Sequence, residues 1–590
     1  MHIAHQKLFS NLPYKNGAIV VIQSDKECLT PSKYREDHTT LPIFFYKLDD
    51  IKSLSAKEFL DLLYKDFPLL NTIVVGYDFH FGYKAHASCY DLKNIFKGKV
   101  KIIEHFFYKN FSVHSSKIRE LLQNGDIKLA NELLGYHYKI VGFSIKGQGL
   151  GSKSFVPTIN IKVNKFLLPK DGIYATKTII DNISYKSVSF LGHRKTTDNN
   201  YAIETHIIEP FNKQIDHNTQ IDIKFFQQIR KNKKFNNFED LKNQILKDIS
   251  NTKIFFNTTI HHHYLDLAIK KAWDYQLLTY PNPAVGAVVV DDDKILSIEA
   301  HKKSGEPHAE VLALKEVYLK QYPQSDLKDM LSSKDIHDFL IQYHNNLFKN
   351  LTIYVTLEPC NHIGKTPSCA ILLQKVGIKK VYIGIEDPNK IASGGIETLN
   401  NNGIETILLN SSKAKDLIYP FLKWQKDRFI FFKLAIKEDG TYTGGYITTK
   451  QSLKWVHKIR TKIDLLVIGG NTVKIDRPTL DTRFIDEKKV PDIFIYSKDK
   501  KFDKTIPLFN IPNRDVTIGD NLEILNHKNF IMIEGGYNLF KILKDQLNYL
   551  VLFVSSKGKV KNKIDIEKYF NLKIIHSYQI NQDDKILFLK

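Results

Sequence analysis

Two stretches decide the fold of the central part of this chain, PHAEV at residues 307–311 and TLEPCNHIGKTPSC at residues 356–369. The first carries an H-x-E pattern at the predicted start of a helix, and the second carries P-C followed by another cysteine after eight intervening residues. Predicted strands surround them (AVGAVVVD, LTIYVTLE and KKVYIGIE) and alternate with helices. Together they predict an α/β/α domain that holds a metal.

The metal predicted by these stretches is zinc, with His308, Cys360 and Cys369 as its ligands. A catalytic zinc site uses three protein ligands and one water, and one imidazole with two thiolates meets that count. Zinc lowers the pKa of its water, and Glu310 is placed to carry a proton from that water to a departing amine. The pattern therefore predicts a hydrolytic deaminase.

The whole chain divides into four segments. They differ in composition and in how predicted strands and helices alternate. The first alternates short apolar runs with helices, which is typical of parallel α/β structure. The second has short β-like runs broken by turns and then one polar helix, which predicts a small β-barrel. The third and fourth are α/β. The predicted boundaries are 1–135, 136–255, 256–410 and 421–590.

The composition excludes some classes of protein. No run approaches the roughly 18 apolar residues of a membrane helix, the N-terminus has no signal pattern, and four cysteines are too few for a disulfide framework. These features predict a cytoplasmic protein with no membrane partner and leave a homo-oligomer open. The net charge of +21 allows nucleic-acid binding, dispersed surface charge, or pockets for phosphorylated small molecules. The motifs favour the last, with no nucleic-acid partner.

The cysteine spacing narrows the substrate. Nucleic-acid deaminases of this fold carry P-C-x-x-C, whereas eight residues, with YPNPAVGAVVV and HKKSGEPHAEV upstream, resemble the bifunctional deaminase/reductase of riboflavin biosynthesis over about 264–590. The resemblance implies deamination of a diaminohydroxyphosphoribosylaminopyrimidine. A polar insertion at 317–348 is predicted to be a surface excursion. The substrate-binding residues implied are Asn282, His301, His362 and Lys365.

In that family the next domain resembles dihydrofolate reductase and uses NADPH to reduce the deaminated product, 5-amino-6-(5-phosphoribosylamino)uracil. The matching stretches are RFIFFKLAIKEDG, KIRTKIDLLVIGGNTVKIDRPTLDTR and IMIEGGYNLF. The resemblance implies that Lys433 is a catalytic residue in the substrate pocket, and Tyr446 stands where the family usually has Trp. Substrate-binding residues are Tyr446, Arg460, Asp476 and Arg483, and cofactor-binding residues are Gly469, Gly470, Asn471, Thr472, Glu534, Gly535 and Gly536.

Residues 1–250 resemble the bacterial bifunctional riboflavin kinase/FMN adenylyltransferase. MHIAHQKLF resembles the end of the H-x-G-H motif of a Rossmann-like nucleotidyltransferase domain, and VVGYDFHFG and SVHSSKIRELLQNGD resemble its later motifs. The family has a central strand before the first histidine, and this strand is predicted to be missing here. The ATP-binding residues implied are His2, His5, Ser115, Ser116 and Arg119.

The kinase part of that resemblance lies in VPTINIKV and IETHIIEP. It implies that Pro157 contacts ATP, that Thr158 and Asn160 hold Mg-ATP, and that Glu204 takes the proton from the 5′-hydroxyl of riboflavin. The loop KGQGLGSKS at 146–154 is predicted to wrap phosphates.

The sequence thus predicts a multifunctional enzyme (hydrolase, oxidoreductase and transferase) of riboflavin, FMN and FAD biosynthesis. Its cofactors would be zinc, NADPH and Mg-ATP, and its substrates phosphoribosylated pyrimidines, riboflavin or FMN, and ATP. Two alternatives remain. One is a basic nucleic-acid-binding base deaminase, which predicts aromatic stacking platforms and salt-sensitive binding. The other is a deaminase/reductase whose N-terminal half is a non-catalytic relic, which predicts no riboflavin phosphorylation.

Overall fold

The structure is a computed structural model of the chain. It divides into two compact units, Met1–Ile260 and His261–Lys590. Among the described residues, none of the helices combines the length and apolarity that a membrane span requires. The residues that the structure describes are 1–12, 16–24, 27–108, 111–146, 156–196, 198–362, 364, 366–389, 391–442, 447–487, 489–557 and 563–590.

The first unit opens with an α/β region. Strands β1 and β2 pair in parallel, as do β3 and β6, but the two pairs form separate two-stranded sheets. The strands are β1 (Ile19–Gln23), β2 (Ile43–Lys47), β3 (Thr72–Gly76), β4 (His80–Phe81), β5 (Ala87–Ser88), β6 (Lys99–Ile103), β7 (Phe107–Tyr108) and β8 (Phe111–Ser112). The helices are α1 (Ile3–Phe9), α2 (Leu48–Ile51), α3 (Ala56–Asp66), α4 (Cys89–Ile95), α5 (Ser115–Asn124) and α6 (Ile127–Leu134), with 3₁₀ segments at Ser32–His38 and Tyr83–Ala85.

The predicted β-barrel is confirmed. Six strands close in the order β10-β13-β12-β11-β14-β9, and all their pairings are antiparallel. The strands are β9 (Lys139–Ile145), β10 (Ile159–Val163), β11 (Gly172–Ile180), β12 (Ile183–His193), β13 (Tyr201–Ile207) and β14 (Gln220–Lys231). Helix α7 (Phe238–Ile254) follows, capped by the Asn237 side chain, and a π segment (Phe255–Thr259) ends the unit.

Inside the barrel, five buried hydroxyl groups form a closed hydrogen-bonded ring. Thr176 bonds Ser187 (2.8 Å) and Ser189 (2.7 Å), Thr178 bonds Ser187 (2.8 Å) and Thr205 (2.9 Å), and Ser189 bonds Thr205 (2.9 Å). All five side chains are inaccessible to solvent. Because each hydroxyl has two neighbours in the ring, these polar groups are satisfied without water.

The second unit begins with a five-stranded sheet in the order β16-β15-β17-β18-β19, in which only the last two pairings are parallel. The strands are β15 (Gly286–Asp291), β16 (Lys294–Ala300), β17 (Thr352–Val355), β18 (Lys380–Ile383) and β19 (Glu405–Leu408). The helices are α8 (Ile260–Trp273), α9 (Ala309–Gln321), α10 (Ser333–Tyr343), α11 (Cys369–Lys375), α12 (Gly395–Asn401) and α13 (Ser412–Lys426), with a 3₁₀ segment at Asp326–Asp329.

The prediction that residues 317–348 form a surface excursion is wrong. Leu327, Ile336, Leu340 and Phe348 are buried and join the same hydrophobic core as α9 and α11. The segment is polar overall, but its apolar residues recur at helical spacing in α10 and pack one face of that helix inward. It is therefore part of the domain that carries the predicted zinc ligands.

The rest of the second unit is built on an eight-stranded sheet in the order β23-β22-β21-β24-β20-β25-β27-β26. Its central strands are almost fully buried and pair in parallel, which is typical of a sheet covered on both faces. The strands are β20 (Phe429–Lys437), β21 (Leu465–Gly469), β22 (Asp492–Tyr496), β23 (Val516–Gly519), β24 (Phe530–Glu534), β25 (Tyr549–Ser555), β26 (Ile574–Gln579) and β27 (Asp584–Leu589). The helices are α14 (Lys450–Arg460), α15 (Gly470–Asp476), α16 (Tyr537–Leu543) and α17 (Ile566–Phe570), with 3₁₀ segments at Pro507–Asn510, Glu523–His527 and Lys544–Gln546.

The two sheets of the second unit share a hydrophobic core through α8 and α13. Trp273 of α8 stacks on His576 of β26 with ring centroids 4.5 Å apart, and Trp424 of α13 packs on Phe530 of β24. The indole N–H of Trp424 donates to the carbonyl of Pro281 at 3.0 Å. These contacts hold the two sheets together as one compact unit.

Candidate active sites

The three predicted zinc ligands lie together. His308 directly precedes α9, Cys369 is the first residue of α11, and Cys360 follows β17 in a loop. The Sγ atoms of Cys360 and Cys369 lie 3.6 and 3.4 Å from Nδ1 of His308. Usual Zn–S and Zn–N bond lengths in a tetrahedron put S and N roughly 3.5 Å apart. The donor set and its spacing therefore fit a zinc ion.

Neighbouring groups prepare these ligands for a metal. Nδ1 of His308 faces both thiols, and its Nε2 lies 3.1 Å from the Thr366 hydroxyl. With a metal on Nδ1, Nε2 would carry the proton and donate to that oxygen. A hydrogen bond from an outer group fixes the tautomer and orientation of a ligating histidine. Hydrogen bonding to Cys369 and His308 lowers the pKa of the Cys360 thiol, which favours the metal-binding thiolate.

Glu310 is buried in the first turn of α9, with 3% of its surface exposed. Burial raises the pKa of this carboxyl to about 7, although His308 opposes the rise. A group with a pKa near neutrality takes up and releases a proton efficiently at physiological pH. Its position two residues after a ligand suits the predicted proton shuttle.

Two of the predicted substrate residues lie next to the triad. His301 is buried, and its Nδ1 donates to the carbonyl of Pro307 at 3.2 Å, so Nε2 accepts from the Asn282 amide at 3.2 Å. Burial lowers the pKa of His301 to about 4, and the ring is neutral at pH 7. His362 is exposed on the loop between the cysteines, and Lys365 lies outside the described residues.

Sequence reasoning missed Glu358, which fixes the loop that carries Cys360. Its buried carboxylate accepts hydrogen bonds from the backbone N–H groups of Asp387, Gly394 and Ile396, each at 3.0 Å. Gly395 allows the backbone to approach Pro359 closely, since a Cβ at position 395 would overlap the carbonyl oxygen of Pro359. The only sequence signal is an acidic residue two positions before the cysteine.

In the larger sheet, three of the predicted reductase residues form a largely buried ionic cluster. Lys433 of β20 and Glu534 of β24 are opposite each other in register. Arg460, the last residue of α14, donates to both oxygens of Glu534 at 3.1 Å. Burial raises the pKa of Glu534, but Arg460 and Lys433 outweigh it and hold the pKa below its usual value. Burial lowers the pKa of Lys433.

The other predicted reductase residues surround this cluster or lie apart from it. Arg460 also donates to the carbonyl of Asp481, whose carboxylate accepts from Arg483 at 2.6 Å. Sequence reasoning missed His457, which lies one turn before Arg460 and packs edge-on against Phe484. Tyr446 lies outside the described residues. Asn471, Thr472 and the exposed Asp476 lie on α15, which begins at Gly470 after Gly469, and Gly535 and Gly536 separate β24 from α16.

In the barrel, Thr158, Asn160 and Glu204 of the predicted kinase residues line one cavity of about 200 Å³. Asn160 of β10 and Glu204 of β13 are register partners, and Thr158 lies two residues before Asn160 and lines the same cavity. The Arg194 guanidinium, which sequence reasoning missed, lies 3.4 Å from Glu204. The carbonyl of Pro157 accepts from His206 at 2.8 Å. Of the loop 146–154, only Lys146 is among the described residues.

Comparisons with known proteins match these regions separately. A family profile described as riboflavin kinase matches residues 134–256. A profile described as the cytidine and deoxycytidylate deaminase zinc-binding region matches residues 258–385. Riboflavin biosynthesis protein RibD of Aquifex aeolicus is 33% identical over 314 residues, which cover 51% of this chain and 81% of that protein. The chain belongs to the RibD family.

The chain is also similar to proteins from other bacteria. RibD of Bacillus amyloliquefaciens is 36% identical over 242 residues, 39% of this chain and 58% of that protein. The solved structure of the diaminohydroxyphosphoribosylaminopyrimidine deaminase/5-amino-6-(5-phosphoribosylamino)uracil reductase of Thermotoga maritima is 26% identical, with a TM-score of 0.39, over 56% of this chain and 99% of that one. A RibD-type deaminase/reductase region and a flavokinase domain are therefore fused in one multifunctional enzyme.

The residues predicted to bind ATP in the N-terminal region lie outside the RibD-type half of the chain. His2, His5, Ser115 and Arg119 line one cavity of about 1480 Å³ together with β1 and β3, and Ser116 follows Ser115 on α5. The His2 and His5 rings stack 3.8 Å apart. Burial lowers the pKa of His2 to about 2 and that of His5 to about 4, so both are neutral at pH 7. FMN adenylyltransferase activity stays a prediction.

Proposed function

We propose that the RibD-type half deaminates a diaminohydroxyphosphoribosylaminopyrimidine at the zinc site and then reduces the ribose of the product with NADPH. The observation that carries this proposal is the convergence of His308, Cys360 and Cys369 next to a buried carboxyl of raised pKa. Zinc, when bound by these three residues, would supply an acidified water as the nucleophile.

In the proposed deamination, the protein's own groups orient the ring and move protons. Glu310 takes a proton at its carboxylate and returns it to the amine that leaves as ammonia. The neutral His301 accepts a hydrogen bond from the Asn282 amide beside the metal ligands. It thereby orients this amide, which is proposed to bind the pyrimidine ring with its remaining hydrogen-bonding groups. Lys365 and His362 are proposed to bind its phosphate or ring carbonyl.

We expect ammonia release to depend on zinc and on both cysteines. Removing the metal with a chelator should abolish ammonia release from the aminopyrimidine ribotide. Replacing Cys369 by Ser should have the same effect, because the two remaining ligands no longer hold zinc. Metal analysis of the purified chain and an ammonia assay measure this. Cys28→Ser is the matched control, since Cys28 lies in the other unit, and it should keep both zinc and activity. Full activity without bound zinc would contradict the proposal.

The proposed reduction uses the ionic cluster of the larger sheet. NADPH would supply the hydride, and the protein would hold the substrate and nicotinamide against each other. Lys433, Arg460 and Glu534 support this role, because they hold fixed charges and hydrogen bonds in a largely desolvated place. Gly469 to Thr472 and Gly535–Gly536 follow the carboxyl ends of neighbouring strands β21 and β24, which suits a nucleotide cofactor.

For the N-terminal half we propose that the barrel phosphorylates riboflavin. We propose the cytoplasm as the location of the enzyme. Thr158 and Asn160 would hold Mg-ATP, and the metal would offset the charge of the phosphates. Glu204 would accept the proton of the 5′-hydroxyl as it attacks the γ-phosphate. Adenylylation of FMN is proposed for the cavity around His2, His5 and Arg119, and FAD formation in the same reaction mixture tests it.

The pH dependence of riboflavin phosphorylation should show whether Glu204 is the base. Burial raises the pKa of Glu204 and Arg194 lowers it. Since the deprotonated carboxylate is the base, activity falls as pH falls through this pKa. Arg194→Met removes the cation, so the pKa rises and the acid limb of kcat/KM should move to higher pH, as steady-state assays across pH would measure. Arg194→Lys keeps the charge and should keep the limb in place; an acid limb unmoved in Arg194→Met would contradict the role of Glu204.

A further inference from the structure

Helix α10, which lies in the inserted segment 317–348, carries a buried histidine that points at the zinc-site helix α11. His337 is 5% exposed, and its Nε2 lies 3.2 Å from the carbonyl oxygen of Ser368. A carbonyl oxygen only accepts, so Nε2 carries the proton and donates it. This contact joins the insertion to the residue immediately before the ligand Cys369.

Ser368 connects the two cysteine ligands. Its hydroxyl donates to the carbonyl of Cys360 at 2.8 Å and accepts from the backbone N–H of Ile371 at 3.2 Å, which caps α11. Ser368 itself is 1% exposed. Ser368 is therefore hydrogen-bonded to one ligand residue and covalently joined to the other.

The carbonyl that His337 holds belongs to the peptide unit that joins Ser368 to Cys369. The other end of that unit is the N–H of Cys369, which donates to the Cys360 sulfur at 3.5 Å. Because a peptide unit is planar, holding its oxygen also fixes the direction of its N–H. The hydrogen bond that His337 donates to the Ser368 carbonyl thus orients the Cys369 N–H towards the Cys360 sulfur.

We infer that His337 is a positioning residue for the zinc site, supplied by the insertion. This inference rests on the proposed zinc-dependent function. Outer groups that orient metal ligands typically change metal affinity by about 10–100-fold when they are removed. The hydrogen bond from His337 holds the peptide unit that leads into Cys369 and whose N–H donates to the Cys360 sulfur. We therefore expect its loss to change the positions of both thiolates.

The test compares a variant that loses the donor with one that keeps it, in the full-length chain. His337→Met fills similar space without an N–H, and His337→Gln retains an amide N–H at nearly the same reach. We expect His337→Met to weaken Zn²⁺ affinity by about 10–100-fold, as competition with a chromophoric chelator measures, and to alter the thiolate-to-metal absorption of the Co²⁺-loaded chain. His337→Gln should keep both close to those of the unaltered chain.

Leu340→Ala is the packing control, because Leu340 is fully buried on the same helix and its loss should lower Tm while leaving Zn²⁺ affinity unchanged. Equal loss of affinity in Leu340→Ala and His337→Met would overturn the inference, as would equal loss in His337→Gln. If His337→Met does not fold, the retained affinity of His337→Gln still decides. Unaltered affinity in a folded His337→Met would overturn this inference alone, and an unaltered chain that binds no Zn²⁺ would overturn the proposed function as well.

Discussion

Glu310→Gln is expected to lower the rate of ammonia release by about 10²–10⁴-fold, the usual contribution of a general acid–base group, while the zinc content stays unchanged. The amide has nearly the shape of the carboxyl but cannot accept and return a proton. Glu310 lies in a buried position, where burial raises its pKa to about 7. Riboflavin phosphorylation, which is proposed for the other unit of the chain, should keep its rate, and the unchanged zinc content would show that the unit that carries Glu310 is folded.

Glu316→Gln is the matched control for this experiment. Glu316 lies on the same helix, α9, but its side chain is 44% exposed and pairs with Lys320. Changing it should leave ammonia release at the rate of the unaltered chain. Wild-type turnover in Glu310→Gln would mean that another group moves the proton, and loss of zinc from that variant would mean that Glu310 supports the metal instead.

Glu204→Gln is expected to lower riboflavin phosphorylation by about 10²–10⁴-fold and to leave deamination unchanged. Glu204 is register partner to Asn160 and lines the same cavity as Thr158, so the variant removes the base and leaves the groups proposed to hold Mg-ATP. Formation of FMN from riboflavin and ATP, followed by chromatography, measures the effect.

This second variant also decides between two hypotheses for the N-terminal half. If the half is a non-catalytic relic, the unaltered chain forms no FMN and Glu204→Gln has nothing to remove. Glu239→Gln, a change of an exposed residue in the first turn of α7, is the control and should phosphorylate at the unaltered rate. Equal turnover in Glu204→Gln and Glu239→Gln would contradict a catalytic role for Glu204.

Much of the metal site could be predicted because its chemistry is local in the sequence. His308 and Glu310 belong to one helix start, and Cys360 and Cys369 belong to one loop, so short motifs fix which residues meet. The supporting contacts are not local. The hydrogen-bond donors to Glu358 lie 29 to 38 residues further along the chain, and no pattern in the sequence pairs these groups.

The prediction of a surface excursion at 317–348 is wrong because the segment is polar overall, although the apolar residues of α10 have helical periodicity. Ile336 and Leu340 are four residues apart and occupy one face of α10, which is the signal of a packed helix. The sequence of that face did not reveal what it packs against. The contact between His337 and Ser368 depends on how α10 meets α11, and that is a tertiary property.

In the reductase cluster, too, local motifs identify single residues, whereas the contacts between them depend on the tertiary structure. Lys433 and Glu534 are about a hundred residues apart in the sequence and become neighbours because β20 and β24 pair in parallel. Their motifs identified them separately, whereas the pairing of Arg460 with Glu534 required the structure.

The ring of five hydroxyl groups inside the barrel bears on how the barrel folds. It draws its members from β11, β12 and β13, and the ring closes only when these strands are aligned as they are here. A slip of one residue turns every side chain of a strand to the opposite face. Misaligned barrels would then bury hydroxyl groups without partners, at a cost of about 1–3 kcal/mol each. The ring thus favours the observed strand alignment, because a slip of one residue would leave some of its hydroxyl groups buried without partners.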